Sequence, residues 1–353
     1  RKTLLYIINM LKSEYENKGL TGLSNVGNTC YLNSCMQILS HTYELSNFLN
    51  NEKYKNKLNK KHESVLLLEW DKLRKLMWSE NCTIAPMGFV QAVKKVSKLK
   101  GRDIFSGYNQ NDLPEFLIFL IDSFHTALMR EVEMTIKGRQ KNKQDKMAIK
   151  CYEMIKNMYK TEYSEMLNIF YGTQISTIYS LENGKILSMR PEPYSIISLP
   201  IPHGKNSVSI FECMDLYCKM EKMEGDNAWY NEKTEKKEDV EMGISFWSLP
   251  NILIIDLKRF DYSGKKLRHL IQTEHNNVDF SKYVKGYNKS AYVYDLYAVC
   301  NHTGNMFGGH YTAYVKNANN KWYLFNDTIV KEIKESKVVT PAAYCFFYRK
   351  HQK

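Results

Sequence analysis

Apolar residues recur at helical spacing through the first half of the chain. The pattern is clearest in VLLLEWDKLRKLMW, from Val65 to Trp78, and in DLPEFLIFLIDSFHTALM, from Asp112 to Met129. Apolar positions three and four apart form one stripe on a helix. Asp112 with Glu115 three residues later resembles a capping box, and a proline in the first turn is tolerated there. Both segments are therefore predicted to be helices.

Three further segments carry the same helical pattern. Residues 1–19 are predicted to form a short amphipathic N-terminal extension, the segment after Cys30 to continue as a helix, and CYEMIKNMYKTEYSEML to form another. The apolar positions in the first two are Leu4, Leu5, Ile8 and Leu11, followed by Leu32, Met36 and Leu39.

From about Phe170 onward, short segments rich in β-branched and aromatic residues alternate with Asn-, Gly- and Lys-rich breaks, as strands do. The segments are TQISTIYSL, YSIISLPIP, NILIIDLKRFDY, AYVYDLYAVCNH, GHYTAYVK, KWYLFND and AYCFFYRK. The charged stretch EKMEGDNAWYNEKTEKKEDVE is predicted to be an exposed hairpin or loop. Helices followed by strands indicate an α+β fold rather than repeated βαβ units.

Amino-acid composition narrows the class of protein and the cellular compartment. The chain has 353 residues, a net charge of +12 and eight scattered cysteines. Unpaired cysteines suggest free thiols in a reducing compartment, the cytoplasm or nucleus. No segment reaches the roughly 18 unbroken apolar residues of a membrane span, and the N-terminus has no signal-peptide cleavage pattern. Seven of the basic residues lie between Arg130 and Lys150. Without interleaved stacking residues they more simply form a solvated face, and nucleic acid binding is a minor alternative.

The segment GLSNVGNTCYLNS places Cys30 after a polar turn and at the start of a helix. A helix N-terminus favours the thiolate, Asn28 or Thr29 is placed to cap the helix, and Gly27 permits a tight bend. Asn25 could supply an amide to a developing oxyanion. Taken alone, a small buried thiol is the simpler interpretation of Cys30.

A histidine base is predicted in HTGNMFGGHYTAYVK. His310 follows Gly308 and Gly309 and opens a strand, and the two glycines permit close approach of a substrate main chain. His302 is the competing candidate, and one of the two histidines is expected to be structural. We favour His310 because the flexible backbone and the following strand suit the edge of a cleft.

A catalytic imidazole needs a third group that orients it. KWYLFNDTIV offers Asn326 and Asp327 at the end of a strand that could pair with the one carrying His310. The order cysteine, histidine, then Asn or Asp is that of papain-like cysteine proteases.

Six blocks together resemble the ubiquitin-specific protease family, from Gly22 to about Arg349. They are GLSNVGNTCYLNS, FSGYNQNDLPEFLIFLIDSFH, LPNILIIDLKRFDY, YDLYAVCNHTGNMFGGHYTAYVK, KWYLFNDTIV and AYCFFYRK. The resemblance implies a papain-like fold with a helical thumb, a β-rich palm and β-fingers. The thumb would span about residues 20–165, the fingers lie within about 166–245, and the palm mainly occupy 190–350, which together make a catalytic domain of residues 20–350.

The resemblance also implies roles for single residues. Cys30 would be the nucleophile, His310 the base and Asn326 its orienting partner, while Asn25 matches the oxyanion position and Asp327 a neighbouring acidic position. Asp112 matches a residue that contacts the extended ubiquitin tail, and the substrate-binding set predicted with it is Gln110, Gly308 and Gly309.

The family's zinc site is the main departure. Ser180 and Asn183 stand where a first CxxC pair is expected, and Asn231 and Thr234 where a second is expected. These residues cannot form a thiolate site. We therefore expect no metal and no other cofactor, with fingers held together by strand pairing alone.

The resemblance implies a cysteine deubiquitinase that cleaves the bond after the last glycine of ubiquitin. An inactive ubiquitin-binding module and a protease for a ubiquitin-like modifier are the alternatives. The expected partners are ubiquitin or polyubiquitin conjugates, and the chain is expected to be monomeric with no membrane partner.

Overall fold

The computed structural model describes residues 14–107, 109–288 and 291–351, so most of the predicted N-terminal extension lies outside the described residues. The predicted helices after Cys30, around Trp70 and after Asp112 are all confirmed. The helices of the described part are Cys30–Ser40 (α1), Tyr43–Asn50 (α2), Glu63–Ser79 (α3), Met87–Leu99 (α4), Leu113–Leu128 (α5), Lys143–Glu162 (α6), Glu165–Phe170 (α7) and Ile210–Tyr217 (α8).

The first five helices share one apolar core. Trp70 of α3 stacks on Phe124 of α5 with ring centroids 6.4 Å apart, and it meets Phe89 of α4 edge-on at 6.0 Å. Asp112 begins α5 by accepting a hydrogen bond from the Glu115 backbone N–H at 3.3 Å, as the capping pattern predicted. Burial of these large rings stabilises the helical layer, because the removal of apolar area from water drives folding.

The strands supply the remainder of the α+β fold. They are Gly22–Leu23 (β1), Thr83–Ile84 (β2), Gly172–Ser180 (β3), Ile186–Tyr194 (β4), Ile196–Leu199 (β5), Ser207–Ser209 (β6), Glu221–Met223 (β7), Trp229–Asn231 (β8), Lys236–Glu238 (β9), Val240–Ser248 (β10), Ile252–Leu257 (β11), Leu270–Gln272 (β12), Val278–Asp279 (β13), Val293–Asn305 (β14), Gly308–Lys316 (β15), Trp322–Asn326 (β16), Ile329–Ile333 (β17) and Ala343–Lys350 (β18). Every predicted strand segment overlaps one of them, and the charged stretch contains the β8–β9 hairpin.

The largest sheet has the order β17-β16-β15-β14-β18-β11-β5, with β13 added beside β14. Successive residues of a strand face opposite sides of a sheet. Accordingly, Ile254 and Cys300 pack with the helices in the first core, whereas Ile255 and Val299 belong to a second core on the other face. Helix α1 therefore lies directly on the sheet, which brings its N-terminus to β15 and β16.

A four-stranded sheet of order β4-β3-β10-β7 forms the region predicted as fingers. Strand β4 was missed by the sequence analysis because Pro191 and Pro193 interrupt its pattern. Both prolines are compatible with β4 because it is an edge strand, whose outer N–H groups need no partner. The residue limits proposed for thumb, fingers and palm stay a prediction.

Side-chain hydrogen bonds also hold the fingers, so the expectation that strand pairing alone does so is wrong. Glu238 Oε1 accepts from Asn231 Nδ2 at 2.8 Å and from the Thr234 hydroxyl at 2.6 Å. At the other predicted knuckle, Asn183 Oδ1 accepts from the Lys185 N–H at 3.0 Å. The polar side chains standing in place of thiolates therefore bond to Glu238 and to the backbone, an arrangement that does not fit a zinc ion.

No three His, Cys, Asp or Glu side chains within the described ranges come together as a metal site. The absence of zinc from the protein itself stays a prediction. None of the helices in the described part is both long and apolar enough to cross a membrane.

Candidate active site

The turn before α1 positions Cys30. Gly27 and Asn28 both have positive φ, 110° and 54°, a conformation that glycine and asparagine adopt at least cost. Helix α1 then begins at Cys30 as predicted, but no side-chain cap forms: the Thr29 hydroxyl accepts from the Val26 N–H at 3.0 Å. The predicted capping is therefore wrong, because the Thr29 side chain bonds within the turn.

The Cys30 thiol is 3% exposed, and burial raises its pKa. The backbone N–H groups of Tyr311 and Tyr31 act in the opposite direction but are outweighed. The backbone N–H groups of the helix N-terminus thus lower the pKa of Cys30 as predicted, but desolvation, which disfavours the thiolate, outweighs them in this conformation. Cys35, one turn further along, is fully enclosed and its pKa is raised much further by burial alone.

His310 and Asn326 meet on one face of the large sheet. In the register of β15 and β16, Ala313 pairs with Phe325, so Asn326 continues opposite Thr312, two residues from His310. Diagonal neighbours of this kind lie within reach of a long side chain. The His310 Nε2 atom is 2.6 Å from Asn326 Oδ1.

This contact fixes the tautomer of His310. An amide oxygen only accepts hydrogen bonds, so Nε2 carries the proton and Nδ1 keeps its lone pair. Tyr311, the next residue, brings its N–H to the Cys30 sulfur, so His310 directly precedes the residue whose backbone contacts the thiol. Within the described part of the chain, no hydrogen bond joins Cys30 to His310, so proton transfer requires the two side chains to come together.

Asn25 and Asp327 form the third part of the site. Asp327 Oδ2 accepts from Asn25 Nδ2 at 3.1 Å, and its Oδ1 accepts from the buried amide of Asn33 at 2.8 Å. Asn25 Oδ1 in turn accepts from the Thr29 N–H at 3.1 Å. An amide nitrogen has two protons, so the bond to Asp327 orients Asn25 and leaves one proton for another acceptor.

His302, the competing base, is bonded to Lys266. Lys266 Nζ lies 2.8 Å from His302 Nδ1 and 2.7 Å from the His302 carbonyl oxygen. Burial and the nearby ammonium lower the pKa of His302 to about 4, and its ring stacks on Tyr311 at 4.6 Å. Its role is structural.

The predicted substrate-binding residues lie together above β15. The Gly309 N–H donates to Gln110 Oε1 at 2.6 Å, and a Cβ on Gly309 would come within 2.3 Å of His302 Nε2. Asp112 Oδ2 accepts from the Tyr344 hydroxyl at 2.8 Å, and burial raises the Asp112 pKa. The Gln110 side chain therefore accepts from the Gly309 N–H, to which a substrate main chain could otherwise bond. A side chain at position 309 would clash with its neighbours.

Three contributors were missed by the sequence analysis: Asn33, Lys266 and Tyr344. Each acts through another side chain rather than through a motif of its own. Asn33 stands within GLSNVGNTCYLNS, three residues after Cys30, and its polar side chain on an otherwise buried helix was the available signal.

A cysteine at a helix N-terminus facing a strand-borne His–Asn pair defines a papain-like thiol hydrolase. The profile of the ubiquitin carboxyl-terminal hydrolase family matches residues 21–348. Ubiquitin carboxyl-terminal hydrolase Usp2 of Drosophila melanogaster is 33% identical over 343 residues, covering 95% of this chain and 35% of the relative. Ubiquitin carboxyl-terminal hydrolase 2 of Homo sapiens is 31% identical over 344 residues, covering 94% and 55%. The chain belongs to the ubiquitin carboxyl-terminal hydrolase family.

The solved structures give the same fold. The SAGA Ubp8/Sgf11/Sus1/Sgf73 DUB module bound to ubiquitin aldehyde aligns with a TM-score of 0.71 and 22% identity, covering 96% of this chain and 71% of that one. This similarity confirms the predicted papain-like α+β fold. The chain spans between about a third and just over half of the length of the two curated relatives.

Proposed function

We propose that this chain is a cysteine deubiquitinase that hydrolyses the peptide or isopeptide bond after the C-terminal glycine of ubiquitin. The observation that carries the proposal is the His310–Asn326 contact of 2.6 Å beside the Cys30 helix start. Membership of the family and the ubiquitin-bound neighbour of the same fold support ubiquitin as the substrate.

Catalysis begins with transfer of the Cys30 proton to His310 Nδ1. The thiolate attacks the terminal glycine carbonyl, and the second Nδ2 proton of Asn25 stabilises the oxyanion. The carbon–nitrogen bond breaks as His310 returns its proton to the leaving amine, which leaves a thioester on Cys30. Water, deprotonated by His310, then attacks the thioester and releases ubiquitin with a free carboxylate.

Substrate must displace the contact between Gln110 and the Gly309 N–H. We propose that the extended tail of ubiquitin then takes the place of the Gln110 oxygen over Gly308 and Gly309, with Asp112 as a polar anchor. Because Asp112 already caps α5 and accepts from Tyr344, its position is fixed before substrate arrives.

The test is the turnover of a fluorogenic ubiquitin C-terminal amide. We expect Cys30→Ala to abolish turnover and Cys35→Ala to leave it within about twofold of wild type, because Cys35 has no base beside it. Equal activity of wild type and Cys30→Ala would contradict the proposal.

The two alternatives are separated by competition. An inactive ubiquitin-binding module would bind ubiquitin without turning over the amide. A protease for a ubiquitin-like modifier would prefer that modifier when ubiquitin and ubiquitin-like substrates compete at equal concentration. We expect ubiquitin to be preferred, since the six sequence blocks follow the ubiquitin-specific pattern in order.

Eight unpaired cysteines in the described chain support a reducing compartment, which we propose to be the cytoplasm or nucleus. A monomeric state stays a prediction, to be measured by light scattering. Nucleic acid binding stays a minor alternative, to be measured by binding at varied salt.

A further inference from the structure

A slot opens in the region predicted as fingers. It lies between α6, strand β4 and the β8–β9 hairpin, and its volume is about 310 Å³. Its lining is Lys150, residues 187–190 and residues 229–233, which we call the finger slot. None of these residues belongs to the candidate active site, so the slot is a separate surface.

Two strand edges face each other across the finger slot. Strand β4 is the outer strand of the four-stranded sheet, and β8 pairs only with β9 in the described part of the chain. An edge strand presents main-chain N–H and C=O groups that another strand can pair with. The Met189 carbonyl accepts from Lys150 Nζ at 3.3 Å, so it points to the slot side, and an added strand would take the place of this lysine.

The edge of β4 is open over a short length. A register shift occurs between Ile178 and Tyr179 opposite β4, which leaves Leu187 as an extra residue. Bulges of this kind redirect side chains and end pairing. Pro191 and Pro193 have no N–H to donate. An added strand could therefore pair only before residue 191.

The slot is basic. Lys150, Arg190 and Lys233 have no carboxylate partner among the described residues, and Glu232 is the single acid in its lining. Unpaired cations around a groove attract an anionic ligand and disfavour a cationic one.

An aromatic pair completes the slot. Tyr230 is 54% exposed, and Trp229 beside it is half-buried. Large amphipathic rings at the centre of a polar surface are typical anchors of protein interfaces. The combination of strand edge, cations and rings fits an extended chain with acidic side chains.

We propose that the finger slot binds an extended acidic peptide segment of a partner protein, which adds a strand to the outer edge of β4. Main-chain pairing with residues 187–190 gives the segment its direction, and its carboxylates meet Arg190 and Lys233. Apolar side chains on its other face pack on Tyr230. The slot is distinct from the site that cleaves ubiquitin.

The test uses the full chain and a fluorescein-labelled octapeptide of alternating Glu and Val. We expect saturable binding by fluorescence anisotropy, and slower hydrogen exchange at the amides of residues 187–190 in the complex. The double variant Arg190→Glu, Lys233→Glu should bind at least about tenfold more weakly, because like charges then face each other.

The matched control reverses two lysines beside the opposite edge of the same sheet, Lys219→Glu and Lys222→Glu on and near β7. This control should bind the peptide within about twofold of wild type, and thermal unfolding should show that both double variants are folded.

The proposal is overturned by no saturable binding of the acidic octapeptide or by equal binding of an alternating Lys–Val octapeptide. It is also overturned by equal weakening in the control variant or by binding without protection of β4. Preferential binding of an oligouridylate over the peptide would also overturn it, since stacking and charge alone would then explain the slot. All these results are independent of turnover at Cys30.

Discussion

Replacement of Asn326 by alanine removes a side-chain contact that orients His310. The contact is short, 2.6 Å between Nε2 and Oδ1, and partly buried. A hydrogen bond to a group that becomes charged contributes about 1.5–3 kcal/mol. His310 becomes an imidazolium during the reaction, so the loss falls mainly on the transition state. We expect Asn326→Ala to lower kcat/KM by about 10- to 100-fold.

The assay is steady-state hydrolysis of the fluorogenic ubiquitin amide. KM should change little, because Asn326 contacts the histidine and not the substrate. Asn326→Asp restores an acceptor and should recover most of the activity, to within about fivefold of wild type. Asn319→Ala, in the loop before the same strand, is the matched control and should keep normal turnover. An orienting role of Asn326 is refuted if Asn326→Ala retains full kcat/KM, or if the kcat/KM of Asn326→Asp is no higher than that of Asn326→Ala.

Three further results are expected. Asp327→Ala removes the acceptor of the Asn25 and Asn33 side-chain amides. It should lower kcat about tenfold and the free energy of unfolding by about 1–3 kcal/mol. An unchanged kcat would contradict an orienting role of Asp327. Burial raises the pKa of Asp256 to about 6 from 3.8, so its ionised form costs stability above pH 6. Asp256→Asn should therefore raise the unfolding free energy at pH 7.5 by about 1–3 kcal/mol, with the gain lost near pH 4 in urea titrations. Metal analysis of protein purified with added zinc should find none, and one tightly held equivalent would contradict the account of the fingers.

Local pattern was sufficient for much of the fold. Helical periodicity identified α3 and α5, and alternation identified the strands that carry His310 and Asn326, because both patterns report which face of an element is buried. Strand β4 was not predicted, because the prolines of this edge strand interrupt the alternation of apolar and polar residues. Whether a strand lies at an edge is decided by tertiary structure, which a single segment does not contain.

In the active site too, local sequence predicted some features, whereas others depend on tertiary structure. The residue types and order of Cys30, His310 and Asn326 could be found from the sequence, since the chemistry demands them. The pKa of Cys30 could not, because the balance between burial and backbone N–H groups depends on how closely β15 packs on α1. The Lys266–His302 pair was likewise hidden, since its members are 36 residues apart and meet only across a loop.

Covalent labelling tests the central claim most directly. The protein is incubated with ubiquitin that carries an electrophile at its C-terminus, and the product is examined by intact mass and peptide mapping. We expect one ubiquitin per chain, attached to Cys30, formed also by Cys35→Ala and absent from Cys30→Ala. No adduct on the wild-type chain, or an adduct that persists in Cys30→Ala, would contradict it.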